Sequence, residues 1–225
     1  MGAALVVMGK LPRAGQVKTR LAAAVGPETA ARLYAAFLED VLTMAARWAQ
    51  TRPGRAWFAV AGTEPASDEA DGRRWAPSPI QVFAQAGDDL GGRIEHARAR
   101  VASERVVVIG SDAPLFSEER VDAAVRALED HDAVIGPTAD GGYDAIGFRG
   151  ARPELLRGIP WSTPDVAAAT ERAANRFGLR LAQLPVGYDV DDLEDLRRLA
   201  DDPHLSRAPA TARAVAAWRD RTRGE

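Results

Sequence analysis

The sequence predicts a three-layer α/β/α sandwich around a mostly parallel mixed sheet of about seven strands. Two observations carry this. Short apolar runs alternate with amphipathic stretches along nearly the whole chain. Two of those runs, Ala3–Met8 and Arg105–Ile109, are Val-rich and continuous, the pattern of strands covered on both faces.

Each element follows in order. Ala3–Met8 is the first strand, and a loop with Gly9, Pro12 and Gly15 comes next. Pro27 opens a long helix over Glu28–Gln50, with Leu33, Phe37, Val41 and Leu42 on its apolar face. Ala56–Ala61 is the second strand. Thr63–Pro79 is rich in Pro, Ser, Asp and Gly, so it reads as a loop with at most one helical turn. Ile80–Ala84 is a strand, Gly91–Ser103 a helix and Arg105–Ile109 a strand. Ser117 then caps a helix to Glu129, with two acids in its first turn. Ala133–Gly136 and Tyr143–Phe148 are strands, Pro164–Phe177 a helix, Leu179–Pro185 a strand and Asp192–Asp201 a helix. An Ala/Arg-rich helix, Pro209–Arg221, closes the chain. Residues 1–201 read as one domain and 202–225 as a C-terminal helical tail.

Composition narrows the function. A chain of 225 residues buries a full core. With 29 cations against 32 anions there is no general basic field, which disfavours a dedicated nucleic-acid binder. The absence of Cys excludes disulfides, zinc thiolates and iron–sulfur clusters. No apolar run approaches the ~18 residues that span a bilayer. Met1–Met8 lacks a basic leader and reads as a buried strand, so a cytoplasmic protein is expected. Of the 29 cations, 27 are Arg and only Lys10 and Lys18 are Lys.

In such sheets ligands bind beyond the carboxyl ends of the strands. The first strand runs into a loop carrying Lys10, Arg13, Gly15, Lys18 and Arg20. It reads either as a solvated basic loop or as a site for nucleotide phosphates, and four cations on one strand end favour the second. It is neither a Walker A loop nor a dinucleotide fingerprint. After Arg105–Ile109 come Ser111 and Asp112. Asp112 is either a turn residue or a hard-oxygen ligand for Mg²⁺ or Mn²⁺. Ser111 lacks a nucleophile elbow. Asp140-Gly141-Gly142-Tyr143 is either a tight turn or a place where Asp140 orients or deprotonates a hydroxyl. Asp189 and Asp191 share one face of an extended stretch, and either is a candidate second ligand opposite Asp112. A Gly/Asp-rich loop containing Asp89 closes over a base or sugar, or simply connects a strand to a helix. Trp161-Ser162-Thr163 either caps a helix or walls an acceptor pocket.

Taken together, K-x-P-x-x-G-x-V-K-T-R-L, D-L-G-x-R, G-S-D-x-P, D-G-G-Y, W-S-T-P and D-V-D-x-x-E-D-L, in that order from about Leu5 to Leu196, resemble a bacterial family of GT-A-type glycosyltransferases. Some of its members are linked to arsenosugar biosynthesis. The family's fold is similar to the Rossmann-like nucleotide-diphospho-sugar transferases. That superfamily also includes nucleotidyltransferases that make guanylylated phospholactate and molybdenum cofactor. The resemblance implies that Lys10, Arg13, Gly15, Lys18, Arg20, Asp89 and Ser111 hold the nucleotide, and that Asp112 and Asp191 bind Mg²⁺ or Mn²⁺. It implies catalytic roles for Asp112, Asp140 and Lys18, with Gly141, Gly142, Tyr143, Trp161, Ser162 and Thr163 around the transferred group or acceptor. This sequence departs from the pattern at Ala113, at Asp144-Ala145 and at Asp192-Leu193. The Asp144 change falls beside the acceptor region. The expected activity is glycosyl transfer from a nucleotide-diphospho-sugar to a small-molecule acceptor. The alternatives are nucleotidyl transfer onto a phosphorylated small molecule and a non-catalytic nucleotide-binding protein. The partners expected are a nucleotide or nucleotide-sugar and that acceptor, without nucleic acid, and with homodimer formation open.

Overall fold

A computed structural model describes residues 2–62 and 64–223. The strands are β1 (Ala3–Lys10), β2 (Gly54–Ala61), β3 (Gln81–Ala84), β4 (Arg105–Gly110), β5 (Ala133–Pro137), β6 (Tyr143–Arg149) and β7 (Leu181–Gln183). The helices are α1 (Thr19–Val25), α2 (Pro27–Thr51), α3 (Pro65–Trp75), α4 (Leu90–Val101), α5 (Glu118–Asp130), α6 (Val166–Arg176), α7 (Leu193–Ala200) and α8 (Pro209–Arg223). The strands form one sheet in the order β3-β2-β1-β4-β6-β5-β7. All neighbours are parallel except β6, which runs antiparallel to both β4 and β5.

The alternation of residues along the strands builds two cores. Leu5, Val7, Phe58, Val107 and Ile109 face α2 and α5 and meet Leu38, Leu42, Val121 and Leu128. Val6, Val106 and Val108 face α4 and α6 and meet Ile94, Ala97 and Ala174. A third cluster lies outside the sheet: Val17, Leu21, Phe37, Val190, Leu196, Val215 and Trp218 join the first loop to α1, α2, α7 and α8. Each fully buried side chain of this kind contributes about 1.5–3 kcal/mol. The C-terminal helix is capped from within the core. Buried Asp40 of α2 accepts from the Ala210 and Thr211 amides at 3.2 and 2.7 Å. Among the described residues no helix is long and apolar enough to cross a membrane.

Two segments depart from the sequence expectation. Residues 65–75 form a full helix rather than a loop with one turn. Pro65 stands in its first turn, and Gly72 lets it approach the sheet: an added Cβ would lie 3.0 Å from Val82 and 3.3 Å from Val60. Packing overrides poor local propensity there. The second is α1, which forms between Lys18 and Gly26 where a loop was expected. Lys18 occupies its N-cap position without a side-chain cap, and Gly26, at φ 82°, ends α1 and admits Pro27 to α2.

Candidate active site

The carboxyl ends of β1 and β4 open into a cleft of about 810 Å³ that the loops around residues 138–144, 161–164 and 189–191 complete. Cations and carboxylates interleave at its centre. The Lys18 side chain is only 6% exposed and donates to Asp112 Oδ2 at 2.9 Å and Asp191 Oδ1 at 2.6 Å. Its backbone is left-handed, at φ 47° and ψ 50°; such a conformation costs a non-glycine residue roughly 1–2 kcal/mol. Ser162, at φ 63°, is a second non-glycine residue in this region, and it too faces the cleft. Strain of this kind gathers at functional sites.

Charge balance sets the titration. Burial pulls the Lys18 ammonium down, but Asp112 and Asp191 outweigh it and push it above its ordinary value. Burial pushes Asp191 up, and Lys18 and Arg20 outweigh it and hold it below the usual carboxylate range. Arg20 also pairs with Asp191 directly. Among the described residues Asp189 makes no ion pair, and Lys18 offsets only part of the push on it. Burial, reinforced by Asp112 and Asp191, pushes it up to about 7. Asp112, Asp189 and Asp191 offer carboxylate oxygens within 4.8 Å of one another.

The strand ends are held together by a residue that sequence reasoning missed. The Tyr34 hydroxyl, from α2, accepts from the Lys10 amide at 2.9 Å and shares a hydrogen bond with Ser111 Oγ at 2.7 Å. Burial pushes its pKa up, so it stays a phenol. Gly9 leaves room for this junction: an added Cβ would lie 2.5 Å from Ser111 Oγ. Tyr34 sits on the apolar face of a long helix, so nothing in its spacing separates it from core residues.

The other expected site residues divide. Lys10, Arg20, Ser111, Asp140, Gly142, Tyr143, Trp161, Ser162 and Thr163 all border the cleft. Asp140 Oδ1 is engaged by Thr138 Oγ1 at 2.6 Å and the Gly142 amide at 3.1 Å. Gly141, at φ 87°, is backed against the segment leading into α6, where a Cβ would meet the Pro164 carbonyl at 1.9 Å. Tyr143 and Trp161 meet edge to face at 6.3 Å. Besides Gly141, three more residues lie outside the cleft lining. Arg13 turns to α3, pairing with Asp68 at 3.5 Å and Asp71 at 3.3 Å. Gly15 makes an open turn at φ 76°. Asp89 caps α4 by accepting from the Gly92 amide at 2.7 Å.

Residues 43–163 match the family described as "Uncharacterized protein conserved in bacteria (DUF2064)". The chain belongs to this family. It is 30% identical over 189 residues to a phosphoenolpyruvate guanylyltransferase of Chloroflexus aggregans, covering 80% of this chain and 89% of that one. It is also similar to a crystal structure from Desulfovibrio desulfuricans G20, described as a candidate nucleotide-diphospho-sugar transferase. That match has 33% identity, a TM-score of 0.86 and 98% coverage of both chains. A manganese complex of Rv0371c from Mycobacterium tuberculosis shares the fold at TM-score 0.52 and 17% identity, over 88% of this chain and 97% of that one. The chain is therefore a transferase with the nucleotide-diphospho-sugar transferase fold.

Proposed function

We propose that the protein is a metal-dependent nucleotidyltransferase that transfers the nucleotidyl group of a nucleoside triphosphate to a phosphorylated small molecule, with release of pyrophosphate. The observation that carries this is the Lys18 ammonium wedged between Asp112 and Asp191 at the mouth of the parallel strands. The likeness to a guanylyltransferase across most of the chain favours nucleotidyl over glycosyl transfer. The donor set suits Mg²⁺ or Mn²⁺: three carboxylates converge, and among the described residues no histidine or cysteine ligand joins them. Asp112, Asp189 and Asp191 would hold that ion, which supplies charge neutralisation to the triphosphate.

The chain's own groups then do the rest. Lys10, Lys18 and Arg20 bind and orient the phosphates. A phosphate oxygen of the acceptor attacks the α-phosphorus of the nucleotide. The new P–O bond forms as the bond to the β-phosphate oxygen breaks, and pyrophosphate leaves with the electron pair. The cations stabilise the charge that develops on the departing group. The nucleophile is already anionic, so no general base is required. This fits Asp140, one oxygen of which is committed to its own turn.

The test is product analysis with Mn²⁺. Pyrophosphate released from GTP in the presence of phosphoenolpyruvate or another phosphorylated acceptor is expected. Release of a nucleoside diphosphate from a nucleotide-sugar, with no pyrophosphate from any triphosphate, would overturn the proposal in favour of glycosyl transfer.

A further inference from the structure

Asp144, the residue that departs from the family pattern beside the acceptor region, stands in the wall of the cleft and ties it to the helix layer beneath. Its side chain is 3% exposed and accepts from Arg120 Nη2 of α5 at 2.9 Å. The pair is enclosed by two glycines. An added Cβ on Gly136 would lie 2.4 Å from Asp144 Oδ1 and 2.7 Å from Arg120 Nη2. On Gly187 it would lie 2.1 Å from Asp144 Oδ2 and 2.9 Å from the same Nη2. The other arm of the guanidinium, Nη1, donates to the Pro185 carbonyl at 2.8 Å. Arg120 therefore grips β6 with one arm and the start of residues 185–191 with the other. That segment is fixed again by Gly187 N–H to the Pro137 carbonyl at 2.8 Å, and by Val190 N–H to the Asp112 carbonyl at 3.0 Å. It delivers Asp189 and Asp191 to the cleft.

We propose that the Arg120–Asp144 pair is a positioning unit for the metal-binding acids, holding residues 185–191 so that Asp189 and Asp191 face Asp112. This rests on the metal reading above. Neither residue need touch nucleotide or metal. The fork geometry matters, because one planar guanidinium makes both bonds and an ammonium cannot reproduce them. Partners that orient metal ligands in this way typically change metal affinity 10- to 100-fold.

The experiment is Mn²⁺ titration of the full chain by electron paramagnetic resonance, with melting temperature as a folding check and nucleotide binding measured in EDTA. Asp144→Asn and Arg120→Met should each weaken Mn²⁺ binding about 10- to 100-fold and leave nucleotide affinity in EDTA unchanged. Arg120→Lys should fall between them and the parent. In turnover, the KM for Mn²⁺ should rise while kcat at saturating Mn²⁺ holds. Parental Mn²⁺ affinity in Asp144→Asn and Arg120→Met, while Asp112→Asn has lost Mn²⁺, overturns this inference alone. So does a fall in nucleotide affinity in EDTA as large as the fall for Mn²⁺, which marks general loosening. Undiminished Mn²⁺ binding by Asp112→Asn overturns the metal reading and this inference with it.

Discussion

Replacing Asp189 with Asn should make the metal-free protein more stable while removing one of the proposed metal ligands. Burial and two neighbouring carboxylates push Asp189 from its ordinary 3.8 up to about 7. The folded state therefore holds this proton more tightly than the unfolded chain does. Linkage gives the sign: stability is lost as pH rises from about 4, and the loss is complete above about 7. A rise of that size corresponds to about 4 kcal/mol. The carboxylates are partly open to solvent, and screening reduces this to roughly 2 kcal/mol. Asn carries no charge and escapes the penalty. For a chain of this length each kcal/mol moves Tm by about 2–4 °C, so Asp189→Asn should melt about 4–8 °C higher at pH 8 in EDTA. At pH 4 the two proteins should melt together. Mn²⁺ should then raise the parent's Tm and leave the variant's almost unmoved. Melting followed by circular dichroism at the two pH values, with and without Mn²⁺, reads all of this. An unchanged or lower Tm for Asp189→Asn at pH 8 in EDTA would refute the crowded-carboxylate reasoning.

Three further outcomes are expected. Lys18→Arg keeps the charge but brings a larger planar head into a site that is almost closed, so kcat/KM should fall at least about 100-fold, measured by product release. Asp40→Ala removes the two amide bonds that cap α8, costing about 1–2 kcal/mol, and Tm should drop by about 2–8 °C. Gly9→Ala places a methyl group 2.5 Å from Ser111 Oγ. It should break the Tyr34–Ser111 junction and weaken nucleotide affinity in calorimetry more than it lowers Tm.

The parallel core was legible because its signals are local. Ala3–Met8 and Arg105–Ile109 could be strands only if buried on both faces, and they lie side by side in the sheet. Lys18, Asp112 and Asp191 were legible as strand-end chemistry, and the structure brings all three together. What the sequence hid depends on contacts distant in the chain. Residues 65–75 carry helix-poor composition, and their helix exists because Gly72 seats against β2 and β3. Arg13 matched a phosphate-loop motif, yet its partners are Asp68 and Asp71 of a helix that was not foreseen. Asp89 and Gly15 matched motifs too, and the structure gives them a helix cap and a turn. Asp189 and Asp191 could not be ranked from alternation alone. The fold pairs one with Lys18 and Arg20 and keeps it ionised, and leaves the other crowded by carboxylates so that it holds its proton.

The third core cluster gives the far end of the chain an unexpected reach. Val17 and Leu21 flank the cation-bearing loop, Val190 sits between the two late acids, and Val215 and Trp218 of α8 pack into the same cluster. The last helix is thus a brace shared by both jaws of the cleft. Premature termination before α8 would spare the sheet's own hydrogen bonds. It would unfasten the cationic jaw and the anionic jaw together and strip Val215 and Trp218 from the core, so a late truncation would loosen the cleft and lower the stability of the fold at the same time.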